Sequence, residues 1–439
     1  MSNKRVLHET FDRLLTEITP EKLLSEQCRL DGHFFSVGKE SYDLSKYQKV
    51  YLLGSGKAVI PMAKAMQKIL QPLIENTVIV GPYPEDTALE KTAYIKSSHP
   101  LPTQQSIEAA SLMIQTLEEI GEEDLFIYLL SGGSSALLEL PESEISLGEF
   151  QEVTSLMLHG GMPIESMNAV RKHLSRIKGG KLGTYSNADG IVLVLSDVAD
   201  DDLHAIGSAP LYCDTTTFRD AVSALEAYRL FDRIPKSVQK FLIEGAEGKH
   251  PETPKNPHPH IEHYVIGSNR IVLEKAKKLL EHSGIKTTIM RDPVRIDACE
   301  FARELTAFAQ RHRDRRHCYL FGGEPTVTVT GDGRGGRNQH LCLSLLSLMD
   351  AETDIALLSA ATDGVDGNSD AAGAVIDIHS PHNAQLHHVD PMTYLEAFDS
   401  NTFFEKTGEL IKTGPTHNNL LDIVMLLIEP TLQQGETYG

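Results

Sequence analysis

Residues 322–339 read GGEPTVTVTGDGRGGRNQ, and this stretch determines how the C-terminal half of the chain is interpreted. The alternation of Thr and Val from Thr326 to Thr330 predicts a β-strand, because β-branched residues suit a pleated, half-buried surface. The strand would end in residues 331–336, where glycine fills four of six positions. Glycine accepts positive φ and lets the backbone approach a ligand closely. The apolar spacing of residues 340–349 then predicts a helix that begins near Arg337.

A strand, a glycine loop and a helix N-terminus in this order predict a binding site for an anion. Backbone N–H groups and the positive end of the helix dipole favour negative charge, and a guanidinium can hold phosphate through two hydrogen bonds. Arg334, Arg337 and Asn338 are therefore candidate phosphate-binding residues. A tight β-hairpin turn with solvated arginines is the alternative interpretation.

The composition argues against several classes of protein. The formal charge is −20, which disfavours nucleic-acid or anionic-membrane partners, because both need a basic surface. The five scattered cysteines form no C-x-x-C pair and are typical of reduced thiols in a cytosol. No apolar run approaches the ~20 residues that span a bilayer, and the amphipathic start of the chain differs from a signal peptide. We expect a soluble, cytoplasmic protein whose 439 residues form two domains.

The order of predicted strands and helices indicates an α/β fold with a parallel sheet. The apolar runs at 125–130 and 191–195 predict strands buried on both faces, as in sheets covered by helices. Further strands are predicted at residues 49–53, 77–80, 93–95, 263–266, 286–290, 317–321 and 355–360. Helices are predicted at residues 58–70, 103–120, 147–159, 164–178, 270–282 and 298–311.

Residues 244–263, EGAEGKHPETPKNPHPHIEH, interrupt this alternation with four prolines and no apolar periodicity, which predicts a linker. The linker would separate an N-terminal α/β domain at residues 1–243 from a C-terminal α/β domain at residues 264–439. A metal site formed by His258, His260 and His263 is the alternative to a solvated linker.

Two short loops follow predicted strands at the end where parallel sheets bind ligands. GSGKA, at residues 54–58, resembles a shortened phosphate loop without the P-loop spacing, and an anionic ligand would offset the cost of a lysine at a helix start. SGGSSA, at residues 131–136, supplies hydroxyls and amides for a carboxylate or phosphate. A solvated lysine and a structural turn are the alternatives. The candidate residues of these loops are Gly56, Lys57, Ser131, Gly132, Gly133, Ser134 and Ser135.

Two further groups of candidates carry charge. Residues 168–181, NAVRKHLSRIKGGK, hold five fixed positive charges, and helical spacing places Arg171 and Lys178 on one face. This helix either faces the ligand or pairs with acidic neighbours. Asp197 and Asp363 each follow a predicted strand, where Mg²⁺ binds carboxylates together with substrate phosphates. A structural role in a turn is the alternative for each aspartate.

Seven motifs, in this order, resemble the two-domain glycerate 2-kinases whose C-terminal module is named after its MOFRL motif. They are GSGKA, SGGSSALL, NAVRKHLSRIKGGKL, SDVADDD, GGEPTVTVTGDGRGGRNQ, ATDGVDGNSDAAGAV and TGPT, and the resemblance extends from about residue 5 to about residue 427. It implies a Rossmann-like N-terminal domain with a parallel sheet, a smaller mixed α/β C-terminal domain, and a site in the cleft between them.

The resemblance also implies ATP- and Mg²⁺-dependent phosphorylation of D-glycerate at its 2-hydroxyl, which gives 2-phosphoglycerate. Lys57 and Arg337 match the two residues regarded in the family as essential to catalysis. The family's serine–glycine loop matches residues 131–135, and its basic helix matches Arg171 and Lys178. Glycerate and ATP would be the partners of a monomer or small homo-oligomer. The metal assignment of Asp197 and Asp363 rests on position and chemistry alone.

This sequence departs from the family pattern at three glycines. Ala209 stands in S-A-P where members read S-G-P, Ala361 begins A-T-D-G where they read G-T-D-G, and His417 follows T-G-P-T where they have glycine. Each added side chain could narrow the pocket or reshape a turn. A related small sugar acid is therefore an alternative substrate.

Two other functions compete with a kinase. The first is an NAD(P)H-dependent hydroxypyruvate reductase, an older label for some family members. Its dinucleotide fingerprint needs a third glycine, where GSGKAV has Val59. The second is a non-catalytic binder of a phosphorylated sugar acid.

Overall fold

The structure is a computed structural model that describes residues 2–84, 89–290, 293–349 and 354–430. The chain forms two compact units. The first is Pro20–Ile266, and the second combines Met1–Thr19 with Gly267–Gly439.

The described residues form fifteen helices and fifteen strands, besides short 3₁₀ turns. The helices are α1 (Asn3–Glu17), α2 (Pro20–Gln27), α3 (Val59–Leu70), α4 (Gln104–Glu119), α5 (Ser134–Leu137), α6 (Leu147–His159), α7 (Ile164–Leu174), α8 (Phe218–Ala227), α9 (Lys236–Ala246), α10 (Asn269–His282), α11 (Ala298–Arg311), α12 (Arg337–Leu348), α13 (Ser380–Leu386), α14 (Pro391–Glu396) and α15 (Ser400–Thr407). The strands are β1 (Cys28–Asp31), β2 (Phe34–Val37), β3 (Glu40–Asp43), β4 (Val50–Ser55), β5 (Ile74–Gly81), β6 (Thr92–Lys96), β7 (Leu125–Leu130), β8 (Asp189–Leu195), β9 (Ile261–Gly267), β10 (Thr287–Ile289), β11 (His317–Gly323), β12 (Ile355–Ala361), β13 (Gly373–Ile376), β14 (Leu410–Ile411) and β15 (Asp422–Ile428).

The first unit is built on a six-stranded sheet in the order β6-β5-β4-β7-β8-β9. Strands β4 to β8 pair in parallel, which confirms the predicted α/β fold with a parallel sheet. Every side chain of β7, LFIYLL, is buried, because strands of such sheets have both faces covered. Since β4, β7 and β8 are neighbours and parallel, the loops that follow them lie side by side at one edge.

A small antiparallel sheet of β1, β2 and β3 precedes β4 and was not predicted. Its strands have four residues each and are joined by two-residue turns, with Gly32 and Gly38 at positive φ. Gly32 is the first of the two turn residues between β1 and β2, a position where hairpin turns favour glycine. The sequence therefore held the information for this sheet in its turns, not in its short strands.

The second unit holds a mixed sheet in the order β10-β11-β15-β12-β13-β14. Only β10 and β11 pair in parallel, and the remaining neighbours are antiparallel. This arrangement agrees with the mixed α/β domain that the resemblance implied. Helices α11 and α12 pack together, and α12, which is buried continuously over residues 338–346, contributes Leu341, Leu343 and Leu345 to the core.

At the N-terminus, the compact units divide the chain differently from the predicted domains. Residues 1–243 were predicted to form one domain, but α1 packs against α10 and β12 of the second unit. Its apolar stripe, with Leu7, Phe11 and Leu14 fully buried, explains this placement. An amphipathic helix joins whichever core accepts its apolar face, and the sequence does not say which core that is.

The predicted linker at residues 244–263 also differs from the structure. Helix α9 ends at Ala246, β9 begins at Ile261, and the whole segment lies inside the first unit. Thr253 donates to Asp214 at 3.0 Å, and Nε2 of His258 lies 2.8 Å from the carbonyl oxygen of Gly180. The prolines therefore belong to an irregular segment that packs on the unit, and His258 contacts backbone there.

The predicted strand Thr326–Thr330 is wrong as well. Only Thr326 forms a β-bridge, to Asp297, and the side chain of Val329 is 61% exposed. Both edges of the preceding strand β11 are already paired, with β10 and β15. A β-branched sequence becomes a strand only where a neighbouring strand offers hydrogen bonds and a face to pack on. Among the described residues, no helix is long and apolar enough to cross a membrane.

Candidate active site

The loops after β4 and β7 are joined by backbone hydrogen bonds at the carboxyl edge of the parallel sheet. The amide of Lys57 donates to the carbonyl oxygen of Gly132 at 2.9 Å, and the amide of Ser131 donates to that of Ser55 at 3.1 Å. These bonds extend the ladder between β4 and β7 beyond the strand ends. The GSGKA and SGGSSA motifs, far apart in sequence, therefore form one surface.

Close contacts explain two glycines of this surface. A Cβ atom on Gly56, where φ is +133°, would lie 2.1 Å from Oγ of Ser131. A Cβ atom on Gly132 would lie 2.1 Å from Oδ2 of Asp197, so this carboxylate lies directly against the loop. Burial raises the pKa of Asp197, and the positive charge of Lys57 acts in the opposite direction. The structure thus brings the predicted Asp197 to the predicted loops.

Gly133 lies against the side chain of Lys57. A Cβ atom on Gly133 would be 3.2 Å from Cγ of Lys57 and 3.2 Å from Cδ2 of His99. Lys57 is half-buried, and its ammonium has no hydrogen-bond or ion-pair partner within the described residues. The N–H groups of Gly132 and Gly133 also lack a partner in that part of the chain. An ammonium beside two such amides can hold an anion.

The serine hydroxyls of the two loops have hydrogen-bond partners within the first unit. Oγ of Ser55 lies 2.5 Å from Oγ of Ser134 and 2.7 Å from the hydroxyl of Tyr128. Oγ of Ser131 accepts a hydrogen bond from the amide of Ala58 at 3.1 Å. These buried bonds fix the two loops against each other. The geometry favours Ser131 and Ser134 as supports of the surface, since their oxygens already have protein partners.

Ser135 begins a chain of polar side chains that leads to α7. Its hydroxyl lies 2.8 Å from that of Ser208, which donates to Oδ1 of Asn168 at 2.9 Å. The next residue, Ala209, has a left-handed backbone with φ of +55°. Alanine therefore stands where the family pattern has glycine and where glycine would be unstrained. His417, a second departure, has φ of +58° and shares this feature.

Lys178 does not lie on the helix predicted for residues 164–178. Helix α7 ends at Leu174 because Ser175 turns to an extended conformation and bridges Pro141. The buried ammonium of Lys178 donates to the carbonyl oxygen of Ser135 at 2.8 Å and lies 2.6 Å from the carboxylate of Glu139. Burial lowers the pKa of Lys178, and Glu139 opposes that change. The predicted common face with Arg171 is wrong, and the geometry favours Lys178 as a support of the serine loop.

The other cations of this segment divide into two kinds. Lys172 lies 3.0 Å from Asp214, and Lys181 lies 2.7 Å from Glu142, so these lysines pair with acidic neighbours. Arg171 is half-buried, and its guanidinium has no hydrogen-bond or ion-pair partner within the described residues. Burial lowers the pKa of Arg171. Arg171 therefore stays a candidate for binding a ligand.

In the second unit, the guanidinium of Arg337 is held by two carboxylates. Nε and Nη2 donate to the two carboxylate oxygens of Asp422 at 2.6 and 3.1 Å, and Nη2 also donates to Glu324 at 2.5 Å. Burial acts to lower the pKa of Arg337, but the hydrogen bond and charge of Asp422 raise it overall. The two-pronged contact that the sequence predicted for phosphate is made to a protein carboxylate.

The N-terminus of α12 also holds a protein anion. The carboxylate of Asp366 accepts from the amides of Asn338 and Gln339 at 3.1 and 2.9 Å. A Cβ atom on Gly336 would lie 2.3 Å from Oδ1 of Asp366, so glycine there admits this carboxylate. Burial raises the pKa of Asp366 to about 6, although the two amides oppose the shift. The predicted anion at this helix start is thus Asp366.

Arg334 and Asn338 have different surroundings. Asn338 is fully buried, donates to Asp366 at 3.3 Å and accepts from the hydroxyl of Ser359 at 2.5 Å. Arg334 is exposed, with its guanidinium 3.9 Å from Asp370. The geometry favours Asn338 as a support of α12 and leaves Arg334 accessible to a ligand.

Asp363 lies in the loop after β12 and shapes a turn. Its Oδ1 accepts from the amide of Val365 at 3.0 Å, and its carbonyl oxygen accepts from the amide of Thr416 at 3.0 Å. Gly364 has φ of +84°, and a Cβ atom there would lie 2.1 Å from the carbonyl oxygen of Gly414. The TDG and TGPT motifs are therefore in contact, and half-buried Asp363 already takes part in the turn.

Comparison with known proteins places these motifs in a family. A model described as a domain of unknown function, DUF4147, matches residues 6–243, and the MOFRL family model matches residues 317–422. A glycerate 2-kinase of Pyrococcus horikoshii is 35% identical over 89% of each chain, and a D-glycerate 2-kinase of Thermotoga maritima is 34% identical over 89% of this chain and 93% of its own. This chain belongs to the MOFRL-type glycerate kinase family.

A solved structure supports the same assignment. The crystal structure of a Thermotoga maritima glycerate kinase aligns with a TM-score of 0.84 at 32% identity, over 97% of this chain and 99% of that chain. A putative hydroxypyruvate reductase of Agrobacterium vitis is 34% identical over 86% of each chain, so both labels occur among relatives of this glycerate kinase family member.

Four residues that the sequence analysis did not select shape the two regions of this family member. They are His99, Glu139, Asp366 and Asp422. Asp366 lies in the same D-G-V-D-G run as Asp363, and His99 follows the predicted strand at 93–95. Both could have been selected as site candidates because they lie in loops that follow predicted strands. Glu139 and Asp422 adjoin apolar segments, and only the fold shows which cation each one meets.

The carboxylates present suit a hard, oxygen-ligated cation that arrives with a phosphate. Within the described residues, no group of three or more His, Cys, Asp or Glu side chains is arranged to hold a metal ion. Mg²⁺ in a nucleotide complex needs only one or two carboxylates, because phosphate oxygens and water supply the other ligands. Asp197 fits this requirement, since its carboxylate lies against Gly132 beside Lys57.

Proposed function

We propose that this protein is a kinase that transfers the γ-phosphoryl group of ATP to the 2-hydroxyl of D-glycerate, giving 2-phosphoglycerate. The observation that carries the proposal is half-buried Lys57, which has no partner within the described residues and lies beside the amides of Gly132 and Gly133. The relatives named glycerate 2-kinase, at 34–35% identity, support the substrate.

For phosphoryl transfer, the protein must position the two substrates and neutralise the charge on the transferring group. Lys57 supplies a positive charge beside the loop, and the amides of Gly132 and Gly133 supply fixed dipoles. Such preorganised groups stabilise charge without reorganisation during the reaction. Arg171, half-buried and without a partner in the described residues, is our candidate for the carboxylate of the acid substrate.

Arg337 is proposed as the second catalytic residue, with a narrower contact than the sequence predicted. Its Nε and Nη2 donate hydrogen bonds to Asp422 and Glu324, whereas Nη1 has no partner within the described residues. We assign Nη1 to a phosphate oxygen. The carboxylate pair would then orient the guanidinium and reduce its net charge.

Mg²⁺ bound to ATP would neutralise phosphate charge, and we propose Asp197 and Asp363 as the candidates for a carboxylate ligand. An Asp→Asn change at a true ligand should raise the Mg²⁺ concentration needed for half-maximal activity by about tenfold. The melting temperature without nucleotide should change little. An unaltered Mg²⁺ titration in both Asn variants would remove both residues from the metal site.

The deciding experiment is an assay of ATP consumption with a panel of small hydroxy acids, in which ³¹P NMR identifies the phosphorylated position. We expect turnover with D-glycerate and a product phosphorylated at the 2-position. NADH oxidation with hydroxypyruvate, measured on the same preparation, tests the reductase. Reductase activity without ATP turnover would overturn the kinase proposal, and so would binding of glycerate without turnover under any metal condition.

A further inference from the structure

His99 contacts the same glycine loop as Lys57. It follows β6 at the carboxyl edge of the parallel sheet, and its Cδ2 lies 3.2 Å from the Cβ position of Gly133. Neither ring nitrogen has a hydrogen-bond partner within the described residues, and the side chain is exposed. An imidazole with both nitrogens available therefore lies at the proposed phosphate-binding surface.

The loop that carries His99 is held at both ends. The amide of Ser97 donates to the carbonyl oxygen of Gly81 at 2.9 Å, and the hydroxyl of Ser97 lies 3.0 Å from that of Ser106 in α4. Thr103 forms a capping box with Ser106 at the start of α4. Since these contacts are buried or local, the first unit itself holds the backbone on both sides of His99.

Partial desolvation and one neighbouring positive charge favour the neutral form of the His99 ring. Partial desolvation by the surrounding loops, followed by the positive charge of Lys57, lowers the pKa of His99 to about 4. The charged group that acts on His99 is Lys57, from the loop before α3. Asp197, which follows β8, lies against Gly132, the residue before Gly133. A neutral imidazole can accept a proton, whereas Lys57 cannot while it is charged.

We propose that His99 accepts the proton of the hydroxyl that is phosphorylated, an inference that rests on the proposed kinase function. The hydroxyl oxygen forms a bond to the γ-phosphorus as its proton passes to a ring nitrogen of His99. The bond from that phosphorus to the β,γ-bridging oxygen breaks, and its electron pair leaves with ADP. The exposed imidazolium then releases the proton to water.

Asp197 is the competing proton acceptor, and its surroundings suit it less. Its carboxylate lies against the loop under the charge of Lys57, where a divalent cation would use its lone pairs. His99 carries no charge that a cation or phosphate would pair with. The two residues therefore have different roles: Asp197 would bind the metal ion, and His99 accepts the proton of the substrate hydroxyl.

The test compares His99→Gln with the wild type under saturating ATP, Mg²⁺ and D-glycerate. We expect kcat to fall by about 10²-fold, the common scale of general base catalysis. The KM for glycerate should change less than about threefold, because the lost contact acts in the transition state. His159→Gln is the matched control, since His159 is an exposed histidine of the same unit whose Nδ1 lies 2.7 Å from the carbonyl oxygen of Ser155 in its own helix. It should keep wild-type kinetics.

Two further readouts separate a proton acceptor from a structural residue. The acid limb of kcat/KM should follow a group with a pKa of about 4 in the wild type and should be absent from His99→Gln, while ionisations of the substrates affect both proteins alike. Added imidazole should restore part of the activity of His99→Ala, in proportion to its unprotonated form.

The outcomes distinguish this inference from the function on which it rests. A wild-type protein that never turns over ATP with any acid would overturn both. An active wild type with unchanged kcat in His99→Gln would overturn the role of His99 alone. An acid limb that persists in His99→Gln but disappears in Asp197→Asn would assign the proton to Asp197 instead.

Discussion

The loops around Lys57 and the segment around Arg337 use similar residue types in opposite ways. Both contain glycines, a cation and the start of a helix. Within the described residues, Lys57 has no partner, whereas Arg337 is held by Asp422 and Glu324. Asp366 caps the helix that begins at Arg337. A sequence motif therefore names the charges of a site without showing which of them the protein itself neutralises.

This difference changes the effect expected from each cation. A charge without a protein partner contributes little to folding and can act fully on a ligand. A charge held by a buried carboxylate contributes to folding and to ligand binding, because its removal leaves that carboxylate without a counter-charge. Mutations in the two regions should thus separate activity from stability.

The largest expected effect is that of Lys57→Ala on turnover. Loss of a preorganised charge at the transferring phosphoryl group should lower kcat by roughly 10²–10⁴-fold. The melting temperature should stay within about 2 °C, because surface changes of this kind cost little stability. Lys68→Ala, at an exposed lysine in the last turn of α3, the helix that follows the Lys57 loop, is the control and should be fully active. Activity of Lys57→Ala within about threefold of wild type would remove Lys57 from the catalytic role.

Arg337→Lys should affect both properties. Lysine keeps the charge but loses the planar fork that binds both oxygens of Asp422, which is almost fully buried. We expect kcat to fall by about 10–10²-fold and the free energy of unfolding to fall by about 1–2 kcal/mol. Steady-state kinetics and urea unfolding measure the two changes. Arg270→Lys, at an exposed arginine of α10 in the same unit, is the control and should change neither property. A normal Arg337→Lys protein would show that the planar fork is dispensable.

Much of the fold followed from local patterns. The strand at 125–130 and the helices at 147–159 and 298–311 agree with the structure to the residue, because each has an unbroken apolar pattern and clear ends. The loops GSGKA and SGGSSA were predicted at the carboxyl edge of the sheet, and the structure joins them there. This prediction is reliable for a parallel sheet, because the loops that follow the carboxyl ends of its strands all lie at the edge where ligands bind.

The remaining features depend on contacts between distant residues. The strand at 326–330 failed because strand formation needs a neighbour, and α1 was misplaced because its partner core lies more than two hundred residues away in sequence. The ion pairs Arg337–Asp422 and Lys178–Glu139 were missed for the same reason, because the partners are distant in sequence. The local sequence gives the charge of each residue, but only the folded chain shows which opposite charge lies next to it.

Asp366→Asn tests whether the start of α12 depends on a protein anion. The Asp366 carboxylate accepts hydrogen bonds from the backbone amides and from the side-chain amides of Asn338 and Gln339. In the asparagine variant, the side-chain NH₂ group would face some of these N–H donors. We expect the free energy of unfolding to fall by about 1–2 kcal/mol at neutral pH, as measured by urea denaturation. Asp370→Asn, at an exposed carboxylate of the same loop, is the control.

The pH dependence of that deficit has a defined sign. The pKa of Asp366 is about 6 in the folded protein, above its ordinary value of 3.8, so the folded state binds a proton more readily than the unfolded state. The wild type therefore gains stability from this group as the pH falls from about 6 to about 4, and the asparagine variant does not. The difference between the two proteins should widen on acidification. A constant or shrinking difference would contradict the raised pKa.

The smallest expected effect is a gain in stability for Ala209→Gly, in the loop that supports Ser135 through Ser208. Ala209 is buried and has φ of +55°, a conformation that costs an L-residue with a Cβ atom roughly 1 kcal/mol. Glycine removes this strain but adds freedom to the unfolded chain, so the net gain should be about 0.5 kcal/mol. Ala205→Gly is the matched control, because Ala205 has φ of −99°, and glycine there should destabilise by a similar amount. Opposite shifts in urea midpoint with activity within about twofold of wild type would show that the departure from the family's glycine strains the loop without reshaping the site. If both variants shift in the same direction, the strain at Ala209 is compensated by its packing, and the comparison between the two regions gains no support from this loop.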